Sequence, residues 1–139
     1  MNDRFKFRVV YYNDVEKKYF IFEPDLISAD GTARAYAYGE SGADEYYDTV
    51  TLNQCTGLKD KNGKLIYEGD ILKGKKNMIC SPHSSKMIDK AGVVEIPQNM
   101  FVATCRDVKN NCTLFCQNDW VKTEVIGNIY ENKELLNEI

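Results

Sequence analysis

A chain of 139 residues, 43% hydrophobic and 12% aromatic, is long enough for one domain with a core or for one domain plus a small docked segment, and too apolar to be disordered. Its 18 basic and 21 acidic side chains leave a formal charge of −3, which argues against a wholly basic nucleic-acid binder but leaves room for a local basic patch. No apolar run approaches the roughly 20 residues that span a bilayer. The opening Met1-Asn2-Asp3-Arg4-Phe5-Lys6 lacks the apolar stretch of a signal peptide. Five cysteines without such a signal are expected as reduced thiols in a cytoplasm.

Residues 5–12 alternate, with Phe5, Phe7 and Val9 on one face and Lys6 and Arg8 on the other, the pattern of a half-buried strand. Asn13-Asp14 marks a turn, and Tyr19-Phe20-Ile21-Phe22 returns as a second strand before Pro24. Residues 26–38 fit a short helix by their alanines or a strand by their alternation, and the strand is preferred. Residues 39–48 read as a polar loop carrying Glu40, Asp44, Glu45 and Asp48 with no basic residue, and residues 50–52 as a short strand.

The most informative stretch is 54–72. Asn62-Gly63 is a turn signal because both residues tolerate positive φ. Leu65-Ile66-Tyr67 and Ile71-Leu72 suit half-buried strands. Between them Glu68-Gly69-Asp70 reads as a tight corner, with Asp70 able to accept a hydrogen bond from a nearby backbone N–H. Corners of this kind build small closed or half-closed barrels.

Residues 73–90 read as a long irregular loop carrying Lys73, Lys75, Lys76, Lys86 and Lys90 against Asp89 alone, a local excess of 5 − 1 = +4. Strands are expected at 92–96, 101–105, 112–116 and 124–130. A short helix closes the chain, with Asn132 as N-cap and Leu135, Leu136 and Ile139 on one face.

Two blocks carry a family resemblance. One is Gln54-Cys55-Thr56-Gly57-Leu58-Lys59-Asp60-Lys61-Asn62-Gly63 followed by Ile66-Tyr67-Glu68-Gly69-Asp70-Ile71. The other is Glu124-Val125-Ile126-Gly127-Asn128-Ile129-Tyr130-Glu131-Asn132, then Glu134-Leu135-Leu136. Both resemble the signatures of the YopX-like proteins of phages and prophages, and the opening Arg4-Phe5-Lys6-Phe7-Arg8 resembles that family's first strand. Lys133 stands where the family pattern has Pro, which the first helical position tolerates either way. The resemblance implies a mainly β protein with a barrel in its C-terminal part, encoded by a phage or prophage. It implies no enzymatic activity and no catalytic residues.

The fold expected is therefore mainly β: an N-terminal β segment over residues 1–52, packed on a small SH3-like β-barrel with a short C-terminal helix over residues 53–139. An α+β arrangement is the alternative. The function expected is non-enzymatic: an accessory protein that binds a macromolecule of host or phage, most readily a protein.

Candidate contacts for a protein partner are Tyr46 and Tyr47, beside the acids of 39–48, and Lys59, Lys61 and Tyr67, the members of the 54–72 block that turn chemistry explains least. Lys73, Lys75, Lys76, Lys86 and Lys90 are candidates for contacting nucleic-acid phosphates, though no aromatic lies between them to stack a base. Self-association through strand edges and exposed aromatics is a further expectation.

No cofactor or metal is expected. Cys80 and His83 have ligand-like spacing, but Cys112 and Cys116 on one straight strand lie roughly 13 Å apart, too far for one zinc ion. An enzyme using His83 as base and Cys80 or Cys112 as nucleophile is a second alternative, and no residue that would orient the histidine is visible. Cys105 and Cys112 fall where they can face each other across a hairpin, but a cytosolic setting disfavours a disulfide.

Overall fold

Strand β1 (Phe7–Asn13) pairs antiparallel with β2 (Lys18–Phe22), Val10 opposite Ile21 and Asn13 opposite Lys18. The computed structural model describes residues 6–23, 26–29, 33–38, 44–48, 51–81, 84–97, 102–110 and 112–137. The β1–β2 turn forms as its sequence predicts. Asn13 Oδ1 accepts the backbone N–H groups of Val15 and Glu16, and Lys17 takes a positive φ of 58°. Two compact units make up the chain, Met1–Cys55 and Thr56–Ile139.

In the first unit, β1 lies between β2 and the first part of β6 (Thr51–Lys59), with Val9 opposite both Phe22 and Leu52. Val9 is fully buried, with Tyr11, Phe22 and Leu52 packed against it. A second sheet has the order β3 (Leu26–Ala29), β4 (Ala33–Tyr38), β5 (Asp44–Asp48). The strand reading of 26–38 is thus borne out at Leu26–Ala29 and Ala33–Tyr38, and residues 30–32 lie outside the described residues. The polar loop expected at 39–48 is corrected over its last five residues, because β5 finds a full-length partner in β4, with Ala35 opposite Tyr47 and Tyr36 opposite Tyr46.

In the second unit, a five-stranded antiparallel sheet runs in the order β11 (Cys112–Phe115), β10 (Thr104–Asp107), β9 (Ser84–Glu95), β8 (Asp70–Ser81), β12 (Glu124–Asn128) and curls into a half-barrel. With β7 (Leu65–Tyr67) it encloses Ile66, Leu72, Val94, Ala103, Cys105, Leu114, Phe115 and Trp120. The expectation of a mainly β protein holds. Trp120 is the largest fully buried side chain among the described residues. It comes from a 3₁₀ helix, Gln117–Lys122, that the sequence reading missed, and its Nε1–H donates to Phe115 O at 3.3 Å.

The largest correction concerns residues 73–90. They form most of a long hairpin, not a loop: β8 and β9 pair from Ile71 opposite Val93 out to Ser81 opposite Ser84. The lysine run conceals the strand signal, yet the two strands supply Met78-Ile79-Cys80 and Met87-Ile88, and Lys75 meets Asp89 across the ladder at 3.2 Å. Pro82 and His83 lie outside the described residues. The strand expected at 101–105 begins later, at Thr104, and Phe101 also lies outside them.

Gly57, Gly63 and Gly69 all adopt left-handed φ, 81°, 80° and 87°. Gly69 is the consequential one. Asp70 Oδ2 accepts the Tyr67 N–H at 2.8 Å across the corner, the Gly69 N–H donates to Val94 O, and Gly69 O accepts from Ile129 N–H. One residue thus ties the corner to β9 and to the end of β12.

The second signature block is equally structural. Asn128 Oδ1 accepts the N–H groups of Tyr130 and Glu131, and Asn132 Oδ1 accepts the Asn128 N–H at 3.3 Å. Asn132 was expected to cap the final helix, but its side chain instead reaches back to the preceding turn. That helix is a 3₁₀ segment, Lys133–Asn137, and Ile139 lies outside the described residues. A Cβ on Gly127 would come within 2.5 Å of Asn132 Oδ1 and 2.7 Å of its Cβ, so the fold needs a bare backbone there.

Gly127→Ala is accordingly expected to lower the unfolding free energy by about 1–3 kcal/mol, read as a lower urea midpoint. In an Asn132→Gly background the cost should shrink. An undiminished cost there would show that this clash is not its cause.

Candidate functional site

The site begins at Asp60, which is only 5% exposed. Its Oδ1 accepts the N–H groups of Asn62 and Lys64 at 2.9 Å each, closing the Asn62-Gly63 turn, and its Oδ2 accepts the Val125 N–H on β12 at 3.0 Å. Burial pushes this carboxyl's pKa up, but the three N–H donors and the Lys64 charge outweigh it and leave it below the ordinary 3.8. With the turn fixed, the Lys61 N–H donates to Thr123 O at 2.8 Å and Lys61 Nζ lies 3.5 Å from Glu124.

Glu124 stands opposite Lys73 on β8, and Lys75 stands opposite Asp89 on β9. Leu72 belongs to the core, and a Cβ at Gly74 would press within 3.0–3.1 Å of Thr123 and Phe115. Lys73 and Lys75 alternate to the other face, about 7 Å apart. Lys122, from the 3₁₀ helix, completes the rim beside Met87, which is 55% exposed.

Together these residues line a groove of about 490 Å³. An adjoining cavity of about 250 Å³ is lined by Lys75, Lys76, Leu114, Phe115, Cys116 and Asp119 among others. Five lysines (61, 73, 75, 76 and 122) against Asp89, Asp119 and Glu124 give 5 − 3 = +2. The ion pairs Lys61–Glu124, Lys75–Asp89 and Lys122–Asp119 are solvent-exposed, worth about 0–1 kcal/mol each, and so yield readily to another anion. Lys73 has no ion pair among the described residues.

Lys61, Lys73, Lys75 and Lys76 therefore converge, although the sequence reading assigned them to different partners. Lys76 Nζ also donates to Thr113 O at 3.2 Å. Lys90 does not join them. It sits 3.9 Å from Asp107, whose carboxyl burial pushes up but which hydrogen bonds from Asn110 and Lys109 and the Lys90 charge hold below 3.8. Lys59 and Lys86 are exposed outside the groove.

Tyr67, a candidate contact, is only 7% exposed and so does not offer its ring to a partner. Tyr46 and Tyr47 fall on β5. Lys122, Met87 and Glu124 were missed. They come from three separate elements, and no local pattern links them.

The thiols are dispersed. Cys112 and Cys116 are free and exposed. Cys105 does not face Cys112, because the ladder sets Cys105 opposite Phe115 and Cys112 opposite Asp107. Burial, with the Asp107 and Glu95 charges, pushes the Cys105 thiol up to about 12 and keeps it protonated. Cys80 lies on β8, and His83 falls outside the described residues. No group of three metal-ligating side chains occurs among the described residues.

The model of the YopX protein family matches residues 6–137, which include both signature blocks. The chain belongs to the YopX family. Its YopX fold is also that of two solved structures. The protein yopX from Bacillus subtilis superposes with a TM-score of 0.60 at 20% identity, covering 100% of this chain and 99% of that one. Protein EF1440 from Enterococcus faecalis superposes with a TM-score of 0.54 at 24% identity, covering 94% of this chain and 96% of that one. No curated protein matches the chain. Among the described residues no helix is long and apolar enough to cross a membrane.

Because the Asp60 pKa is depressed in the folded state, its contribution to stability is full well above pH 3.8 and lost as pH falls through the lower folded value. Asp60→Ala should cost about 2–3 kcal/mol at neutral pH, since it strands buried N–H donors. It should also flatten the acid limb of stability measured by urea unfolding between about pH 5 and 2. An unchanged acid limb would show that Asp60 is not the group responsible.

Proposed function

We propose that this YopX-family chain is a non-enzymatic accessory protein of a phage or prophage. It acts in the bacterial cytoplasm by binding a protein through the groove between the 60–64 turn, the β8–β9 hairpin and Lys122. The observation that carries this reading is the mixed character of the groove. Lysines in exchangeable ion pairs surround an exposed Met87, and a net charge of only +2 suits an acidic protein segment with some apolar surface. The resemblance to YopX-like phage and prophage proteins supports the biological setting.

A second reading, nucleic-acid binding, draws on Lys73 and Lys75 at alternate positions of one strand, with Lys73 lacking an ion pair among the described residues. The acidic balance of the chain weighs against it.

Capture from prophage-bearing cells, with and without nuclease, separates the two. Recovery of one protein should survive nuclease and fall at least about tenfold with Lys73→Gln plus Lys75→Gln, equivalent to about 1.4 kcal/mol. The urea midpoint should hardly move. Recovery that vanishes with nuclease, together with steep salt-dependent retention on DNA or RNA, would replace the protein partner by nucleic acid. Equal recovery by the double variant would remove the groove from the reading.

A further inference from the structure

We propose that the groove receives an extended segment of the partner protein in which two acids at alternate positions are followed, two residues on, by an aromatic residue. The carboxylates meet Lys73 and Lys75, and the ring enters the adjoining cavity. This rests on the reading of the groove as a protein-binding site and names the chemistry of its occupant. The groove and the cavity are two compartments of one site, because Lys75, Met87 and Lys122 line both. On one side of that shared rim the groove continues to Lys61 and Lys73. On the other the cavity reaches Leu114 and Phe115, core residues each 6% exposed.

The spacing selects an extended occupant. Lys73 and Lys75 share one face of β8, two residues or about 7 Å apart. A strand-like segment repeats that spacing, so its acids reach both ammonium groups at once. Two residues further on, the same face of the segment advances by another ~7 Å, past Lys75 towards the cavity. A helix is too thick: two turns, about 11 Å long and about 10 Å across, occupy roughly 850 Å³. The groove holds about 490 Å³.

The lining selects the side chains. The cavity, at about 250 Å³, is smaller than the roughly 300–1,000 Å³ of small-ligand sites and suits a single side chain. An aromatic ring fits it, since Phe115 offers an aromatic contact and the lysines of the rim offer cations to a ring face. Asp89 and Glu124 lie among the lysines of the groove. They repel a continuous run of phosphates but accept hydrogen bonds from a peptide's backbone N–H groups, so the mixture of signs favours a peptide over a nucleic acid.

The test is fluorescence anisotropy at low salt with labelled peptides containing Glu-Ser-Glu-Ser-Phe or the reverse order, Phe-Ser-Glu-Ser-Glu. One of the two should bind, and its order reports the direction of the segment. Replacing both peptide Glu residues by Gln should weaken binding at least about tenfold, as should Lys73→Gln with Lys75→Gln in the protein. Replacing the peptide Phe by Gly should weaken it at least about fivefold. Cys116→Phe adds bulk to the cavity lining at an exposed position. It should erase the difference between the Phe and Gly peptides and leave the preference for Glu over Gln.

Binding of neither peptide overturns the proposal, and so does binding indifferent to the Gln or the Gly replacement; these outcomes need no protein variant. Binding that ignores the lysine substitutions, or a Phe preference that survives Cys116→Phe, overturns it too. A labelled oligothymidylate bound more tightly than either peptide overturns it in favour of nucleic acid. If both peptides fail while capture of a protein from cells still depends on Lys73 and Lys75, this inference falls and the protein-binding reading stands. If that dependence is lost as well, the reading falls with it.

Discussion

A single buried carboxylate organises the second unit. Asp60 accepts two N–H groups from its own turn and one from Val125, 65 residues further along the chain. A local turn and a distant strand thereby become one rigid piece. Ionised carboxylates form stronger hydrogen bonds than neutral groups, and the depressed Asp60 pKa expresses the same preference for the charged form. Lys61 and Glu124 flank these anchored positions, so the rim of the groove inherits its geometry from Asp60.

The two signature blocks of the family work in the same way. Gly69 turns the chain where a side chain would be strained; its N–H joins β9 and its carbonyl joins the turn after β12. Gly127 leaves room for Asn132, whose side chain closes the turn after β12. These residues shape backbone and satisfy buried polar groups, and none of them presents reactive chemistry. The same fold is found in two proteins that are 20% and 24% identical to this one.

The groove is a different kind of feature. Its lysines come from a turn, a strand and a 3₁₀ helix, held around a core that includes Trp120. The exposed ion pairs across it contribute little to folding, so the same side chains are available for exchange with a partner's charges. The pair of half-buried Lys90 and buried Asp107 has a structural part instead: Asp107 also accepts the N–H groups of Lys109 and Asn110 that close the β10–β11 turn.

Turns and corners were legible in the sequence because their chemistry is local. Asn13, Asn62-Gly63 and Glu68-Gly69-Asp70 each act within four residues, and every one forms as read. The hairpin of residues 73–90 was not legible. Its stability comes from cross-strand pairing along two 12-residue strands, and a run of lysines viewed alone resembles a solvated loop. Trp120 likewise gave no sign that a 3₁₀ turn would deliver it into the core. The sequence by itself determined a β protein of the YopX family with glycine corners, since those depend on the conformations open to neighbouring residues. Only the tertiary structure decided which lysines meet, which tyrosine is buried and which cysteines stand apart, because these follow from registers and packing between residues far apart in the chain.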